Sequence, residues 1–264
     1  MKAYDFMYDG RTLSSFGMVI CNFDSKGLDI VSNGSVITFN TISTLGGSKH
    51  ELTSTEYEEC LGTTIQICKN YCASDVKEMS DAEFRELTRW LSRKGFLKFK
   101  PLSARYEDLY FEASFNISKI ELDGKLFGLE LDVVTNRPFA LKEPKTIHIK
   151  NLVKDGIYSL NDTSHEEGYI YPYTEITINE DGDFNIHNSM EDRNTHIANC
   201  VAGEVITMDY PVIKSSVPSH NIPNDFNWKF FRIANTYDNS RNDLTISIPC
   251  TIKVKYSPII KVGL

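Results

Sequence analysis

The side chains of this 264-residue chain that could do chemistry are spread along it with few of the spacings that chemistry requires. Cys60, Cys68 and Cys72, with His50 upstream, are zinc-ligand types, yet no Cys-x-x-Cys knuckle supplies the paired short spacing of a structural site. His187 and His196 flank "NSMEDRN", where Glu191 and Asp192 could join them as metal ligands or acid/base groups. No neighbouring segment offers groups to orient the imidazoles, so a polar loop between strands is the expectation. Asp181 and Asp183 around Gly182 suggest a calcium loop but lack the EF-hand register and its closing Glu, which leaves a β-turn. Glu166 with Glu167, Glu58 with Glu59, and Asp209 supply carboxylates of the kind a glycosidase uses, and an acidic chain holds such neighbours by composition alone. There is no G-x-S-x-G, phosphate loop or dinucleotide fingerprint. The chain is therefore expected to be no enzyme and to need no cofactor or metal. "SHEEGYIYPY" gathers Tyr169, Tyr171 and Tyr173 among acids. Together with Trp228 these are the candidate glycan contacts, since aromatic faces stack on sugars, although tyrosine is equally enriched at protein interfaces.

One segment reads as a helix, "MSDAEFRELTRWLSRKG" from Met79 to Gly95. Ser80 and Glu83 form a capping box, Met79 and Phe84 are placed for a hydrophobic staple, and Asp81 and Glu83 put negative charge at the positive end of the helix dipole. Arg93, Lys94 and Gly95 predict the opposite terminus. Phe84, Leu87 and Leu91, widened by Trp90, make an apolar stripe that predicts a helix packed on a sheet as scaffold. Its outer face mixes both charge signs and offers no basic stripe for nucleic acid.

Everything else reads as strand. "FGMVICNF", "SVITFNTIS", "TTIQICKNY" and "LYFEASFNI" are β-branched and aromatic with period two. "ISKIELDGKLFGLELDVV" has two alternating arms around Asp123-Gly124, the pair preferred in a type I′ hairpin. "TNRPFALKEPKT" loses the periodicity and carries two prolines, which places a boundary there and predicts domains at 1–137 and 138–264. Beyond it, "KTIHIKNL", "YTEITINE", "DFNIHN", "EVITMDY", "WKFFRIAN" and "LTISIPCTIKVKY" predict an all-β sandwich or jelly roll. A formal charge of −8 argues against general affinity for DNA or anionic membranes, and no apolar run is long enough for a membrane span or a signal peptide. Cys21, Cys200 and Cys250 sit in apolar strand patterns and are expected to be reduced core residues.

The order of these features resembles the distal tail protein (Dit) family of long-tailed phages and phage-tail-like particles. The resemblance is carried by the opening "YDFMYDGRTLSSFGMVICNF", by "EFRELTRWLSRKG" followed by "FLKFK" and "YEDLYFEASFNISKIELDGKLFGLELDVVTNRPFA", and downstream by "PYTEITINEDGDFNIHN" and "GEVITMDYPV". "SKGLDIVSNGSV" has no counterpart in that pattern. The resemblance implies a mainly β fold, with an N-terminal sandwich-type belt domain bearing one helix and a long hairpin, then a C-terminal galectin-like β-sandwich. It also implies a structural role at the virion tail tip, in a chain made in the bacterial cytoplasm. The partners implied are further copies in a homohexameric ring, single or stacked, the tail tube protein, a tail tip hub and a receptor-binding protein, with DNA at most passing through the channel and no membrane insertion. The hairpin residues Leu122, Asp123, Gly124, Lys125 and Phe127 become the candidate ring contacts. The alternative is a carbohydrate-binding module of an adhesion device, acting through Tyr169, Tyr171, Tyr173 and Trp228.

Overall fold

The computed structural model describes residues 3–23, 35–43, 47, 49–72 and 76–263, so most of "SKGLDIVSNGSV" lies outside the described residues. The chain divides into two compact units, one of Met1–Lys142 with Lys261–Leu264, the other of Glu143–Ile260.

The first unit is built on an antiparallel sheet. Its strands are β1 Phe6–Tyr8, β2 Arg11–Thr12, β3 Met18–Cys21, β6 Gly62–Lys69, β7 Leu97–Pro101, β8 Leu109–Leu122 and β9 Lys125–Thr135, in the order β2-β1-β7-β8-β9-β6-β3. Among the described residues β4 Ile37–Ser43 and β5 His50–Tyr57 pair only with each other, and β10 Ala140–Lys142 lies along the start of β8. "FGMVICNF" yields only the short β3, because Leu13–Phe16 form a 3-10 turn closed by Gly17 at φ 70°, a conformation that glycine adopts without steric cost.

The helix α1 spans Asp81–Leu91 and lies where its stripe predicts. Both halves of the capping box form: Glu83 N–H donates to Ser80 Oγ at 3.3 Å, and Ser80 N–H donates to the Glu83 carboxylate at 2.7 Å. Burial alone would raise the Glu83 pKa, but hydrogen bonds from Ser80 and Lys69 hold the carboxyl below its ordinary range. Ser80→Ala is expected to destabilise the first unit by about 1 kcal/mol in denaturant unfolding, since it strands the Glu83 amide. The C-terminus departs from expectation. Gly95 is not the cap; the helix stops at Leu91, and the Arg93 side chain donates to the Trp90 carbonyl at 3.1 Å, so a side chain satisfies the terminal carbonyl that a left-handed glycine would have served. Leu87, Trp90 and Leu91 are buried, whereas Phe84 is only half-buried, with the Lys119 ammonium 4.6 Å above its ring. Trp90 stacks on Phe16 at 4.5 Å and Phe6 at 5.7 Å, and Phe99 and Phe115 continue this aromatic core.

The second unit is a two-sheet sandwich. One sheet contains β11 Lys145–Asn151, β14 Tyr173–Ile178, β17 Val205–Asp209, β18 Val212–Ser215 and β21 Cys250–Tyr256, in the order β11-β21-β14-β17-β18. The other contains β12 Gly156–Asn161, β15 Gly182–Asn188, β16 Arg193–Cys200 and β20 Arg241–Ile246, in the order β12-β20-β15-β16. A small pair, β13 Gly168–Ile170 with β19 Ile233–Asn235, lies outside both sheets. Alternate residues of each sheet, among them Ile176, Ile206 and Ile252 from one and Phe184, Ile197 and Leu244 from the other, meet in one core, as face-to-face packing of two sheets requires. "WKFFRIAN" is a strand only in its last three residues, and it opens on Trp228 at φ 58°, outside the extended region. One helical turn, α2 Ile222–Asp225, interrupts the otherwise all-β unit. Cys200 and Cys250 are free and buried, with thiols pushed up to about 12 by burial; Cys21 is only half-buried, beside Cys68.

Candidate functional site

Two hairpins mark the first unit. In the longer one, Asp123 at φ 51° and Gly124 at φ 72° make the expected type I′ turn between Leu122 and Lys125. Burial along β8 gives way to exposure after Phe115, whereas the opposite strand β9 stays buried at Leu126, Leu129 and Leu131 and pairs with β6 as far as Gly128, so only the turn and the residues beside it extend past that pairing. Leu122 is 70% exposed at the tip, Lys125 pairs with Glu78 at 3.5 Å, and Phe127, the extra residue of a bulge between Ile120↔Gly128 and Glu121↔Leu126, is half-buried. The second hairpin is the ribbon of β4 and β5. Nearly all its residues are exposed, including Ile37, Phe39, Ile42 and Leu52, and no strand pairs with its outer edges among the described residues.

In the second unit the aromatic residues form a connected run. Tyr169 meets Tyr171 edge-on at 5.5 Å, Tyr171 stacks on Tyr210 at 4.1 Å, and Tyr210 abuts Phe230. Phe230 then meets Phe226, and Phe226 meets Trp228. Phe226 and Phe230 are buried supports; Tyr169, Tyr210 and Trp228 are exposed. Arg232 lies 3.8 Å over Tyr169 and is gripped by both oxygens of Glu191 at 2.7 and 2.8 Å. Tyr173, grouped with these by sequence, takes no part, and its hydroxyl donates to Glu175 instead. The break at Tyr171-Pro172 separates them: Tyr169 belongs to β13, which pairs with β19, whereas Tyr173 opens β14 in the five-stranded sheet.

Beside the run lies a buried polar cluster. Glu204, fully buried, accepts from Ser215, from His220 Nδ1 at 2.5 Å and from the Val201 amide at 3.1 Å. Burial would raise its pKa, yet these hydrogen bonds prevail and hold it below the ordinary carboxylate range. His220 Nε2 faces Asp225 at 3.5 Å.

The other sequence candidates come apart. His187 pairs with Asp192 while Glu191 serves Arg232, and the Asp181 and Asp183 carboxylates accept from the Ala202 and Asn199 amides as turn groups. Cys68 is buried while Cys60 and Cys72 are exposed, and among the described residues no three metal-ligand types cluster.

Comparison with known proteins decides the class. Residues 1–137 match the family described as the phage tail protein N-terminal domain, and residues 139–256 match a phage tail C-terminal domain. The chain belongs to this phage tail protein family. Among solved structures, the tail protein is similar to the Dit protein (gp 19.1) of phage SPP1, described as a paradigm of the hub adsorption apparatus in phages infecting Gram-positive hosts. The TM-score is 0.63 at 11% identity, over 97% of this chain and 99% of that one, a likeness of fold. No curated protein sequence matches. The tail protein thus has a Dit-like, mainly β architecture and a structural role in the virion tail. Sequence patterns alone did not indicate its ribbon as a surface feature, nor Tyr210, Arg232 or Glu204. Alternation in "SVITFNTIS" was a signal for a strand, but it is silent on whether either face meets a core.

Proposed function

We propose that this tail protein forms a homohexameric ring, single or stacked, that joins the tail tube to the tip hub, with residues 1–137 making the ring and residues 138–264 projecting toward the receptor-binding apparatus. The observation that carries this reading is the β4/β5 ribbon. A lone two-stranded hairpin is marginal in water, and this one holds Ile37, Phe39, Ile42 and Leu52 against solvent. Burying such an arm against a neighbouring copy, with its edge or face, gives the heterologous contact that closes a ring. Leu122 at the tip of the longer hairpin is a second exposed apolar contact. Native mass measurement of the full chain tests the reading. The wild type is expected as a hexamer or double hexamer, and Phe39→Asp with Ile42→Asp as a monomer of unchanged melting temperature, because both side chains are exposed. A chain that stays monomeric even with tail tube protein added would overturn it.

A second reading, favoured by the exposed and buttressed aromatic run, is that the C-terminal unit also binds saccharide. It is compatible with the first, since fold alone leaves sugar binding open.

A further inference from the structure

Trp228 is displayed to solvent by a backbone conformation that bulky residues rarely adopt. Its φ is 58°, its side chain is 58% exposed, and its indole N–H donates to the Pro223 carbonyl at 3.2 Å, which fixes the ring's orientation. Phe226, tilted beneath it at 5.6 Å, backs the ring. The indole forms one side of an open cleft of about 520 Å³, whose other walls include Pro211, Ile213, Ile222 and, as polar groups, Lys214 and His220. That volume is in the range of small-ligand sites.

Lys214 is the exposed charge among the lining residues, and the nearby carboxylates Glu204 and Asp225 face His220. No carboxylate lines it, and His220 is committed to Glu204. Lys214 is exposed and makes no ion pair among the described residues. In a chain of formal charge −8, a lysine that makes no ion pair among the described residues, lining the same cleft as a flat, oriented indole and apolar walls, complements an anion that also offers an apolar face. A pyranose ring with a carboxylate or phosphate has both.

We propose that this cleft binds an acidic saccharide, with Trp228 stacking on the C–H face of the sugar and Lys214 pairing with its anionic group. The proposal rests on the saccharide reading of the C-terminal unit and adds the ligand's charge and position. Because the indole is already held, little ordering cost opposes binding.

The full chain offers its own reporter. Of its two tryptophans Trp90 is buried at 2% exposure, so saccharide-induced changes in emission and in iodide quenching report on Trp228. The probes are oligogalacturonate for a carboxylate, glucose-substituted poly(glycerol phosphate) for a phosphate, and cello-oligosaccharide as the neutral control. An acidic probe is expected to saturate about fivefold more tightly than the neutral one, with the difference fading as salt rises. Trp228→Phe is expected to keep part of the stacking and Trp228→Ala, followed by calorimetry, to weaken binding about thirtyfold or more. Lys214→Gln should erase the preference for acid and leave neutral affinity intact. Equal binding of acidic and neutral probes would overturn this proposal and leave the saccharide reading standing. No response to any saccharide would remove both, and tighter binding of an acidic peptide than of any sugar would overturn the ligand class.

Discussion

Replacing Trp90 with alanine is expected to destabilise the first unit by about 3–5 kcal/mol, read as a lower denaturation midpoint of its unfolding transition. The indole is 2% exposed and touches Phe6, Tyr8 and Phe16. Truncation removes a large apolar volume from a site whose neighbours belong to a sheet and a 3-10 turn that cannot both collapse onto the gap. A second contribution is polar. The indole N–H donates to the Tyr8 carbonyl at 3.0 Å, 82 positions away in sequence, tying α1 to β1. Trp90→Phe keeps most of the stacking and loses that bond, so it should cost about 1–3 kcal/mol. If the two variants proved equally destabilised, the hydrogen bond and not the packing would carry the effect.

Glu204→Ala is expected to cost the second unit about 3–5 kcal/mol, because it leaves His220, the Ser215 hydroxyl and the Val201 amide without their shared buried acceptor. The pH dependence follows from the lowered pKa. A carboxyl whose folded pKa lies below its unfolded value, near about 4.3, contributes stability above that value and loses it as pH falls through the folded pKa. The wild-type second unit should therefore weaken on acidification below about pH 4. Glu204→Gln, with no proton to take up there, should give a flatter stability profile across the same window. A profile as steep as wild type would assign the acid sensitivity to other carboxylates.

Legibility in the sequence followed the range of the interactions. The capping box at Ser80 and Glu83 and the Asp123-Gly124 turn were readable because their partners lie within a few residues, where backbone geometry leaves few alternatives. The helix C-terminus was not, since Arg93 reached back to the Trp90 carbonyl and left Gly95 without a role as cap. "WKFFRIAN" reads as one strand, yet only Ile233–Asn235 pair, and Trp228 at its start is left-handed. Period two in "SVITFNTIS" predicts a strand in any setting; whether its apolar side chains meet a core depends on what the rest of the chain brings to them, and here nothing among the described residues pairs with it beyond β5.

The candidate binding residues divide in the same way. Tyr169 and Tyr171 lie close in sequence and in space, but Tyr210, Phe230 and Arg232 join them only because the sandwich folds distant segments together, while Tyr173 leaves the group because the chain breaks at Tyr171-Pro172 and passes from β13 into the separate sheet that holds β14. What the sequence determined by itself was local: one capped helix, one tight hairpin, many short strands, an acidic charge, and the resemblance in their order. Which apolar side chains remained in water, and which carboxylate became the buried acceptor of Ser215 and His220, was decided by the tertiary structure, because burial and long-range hydrogen bonding depend on partners that sequence proximity does not supply.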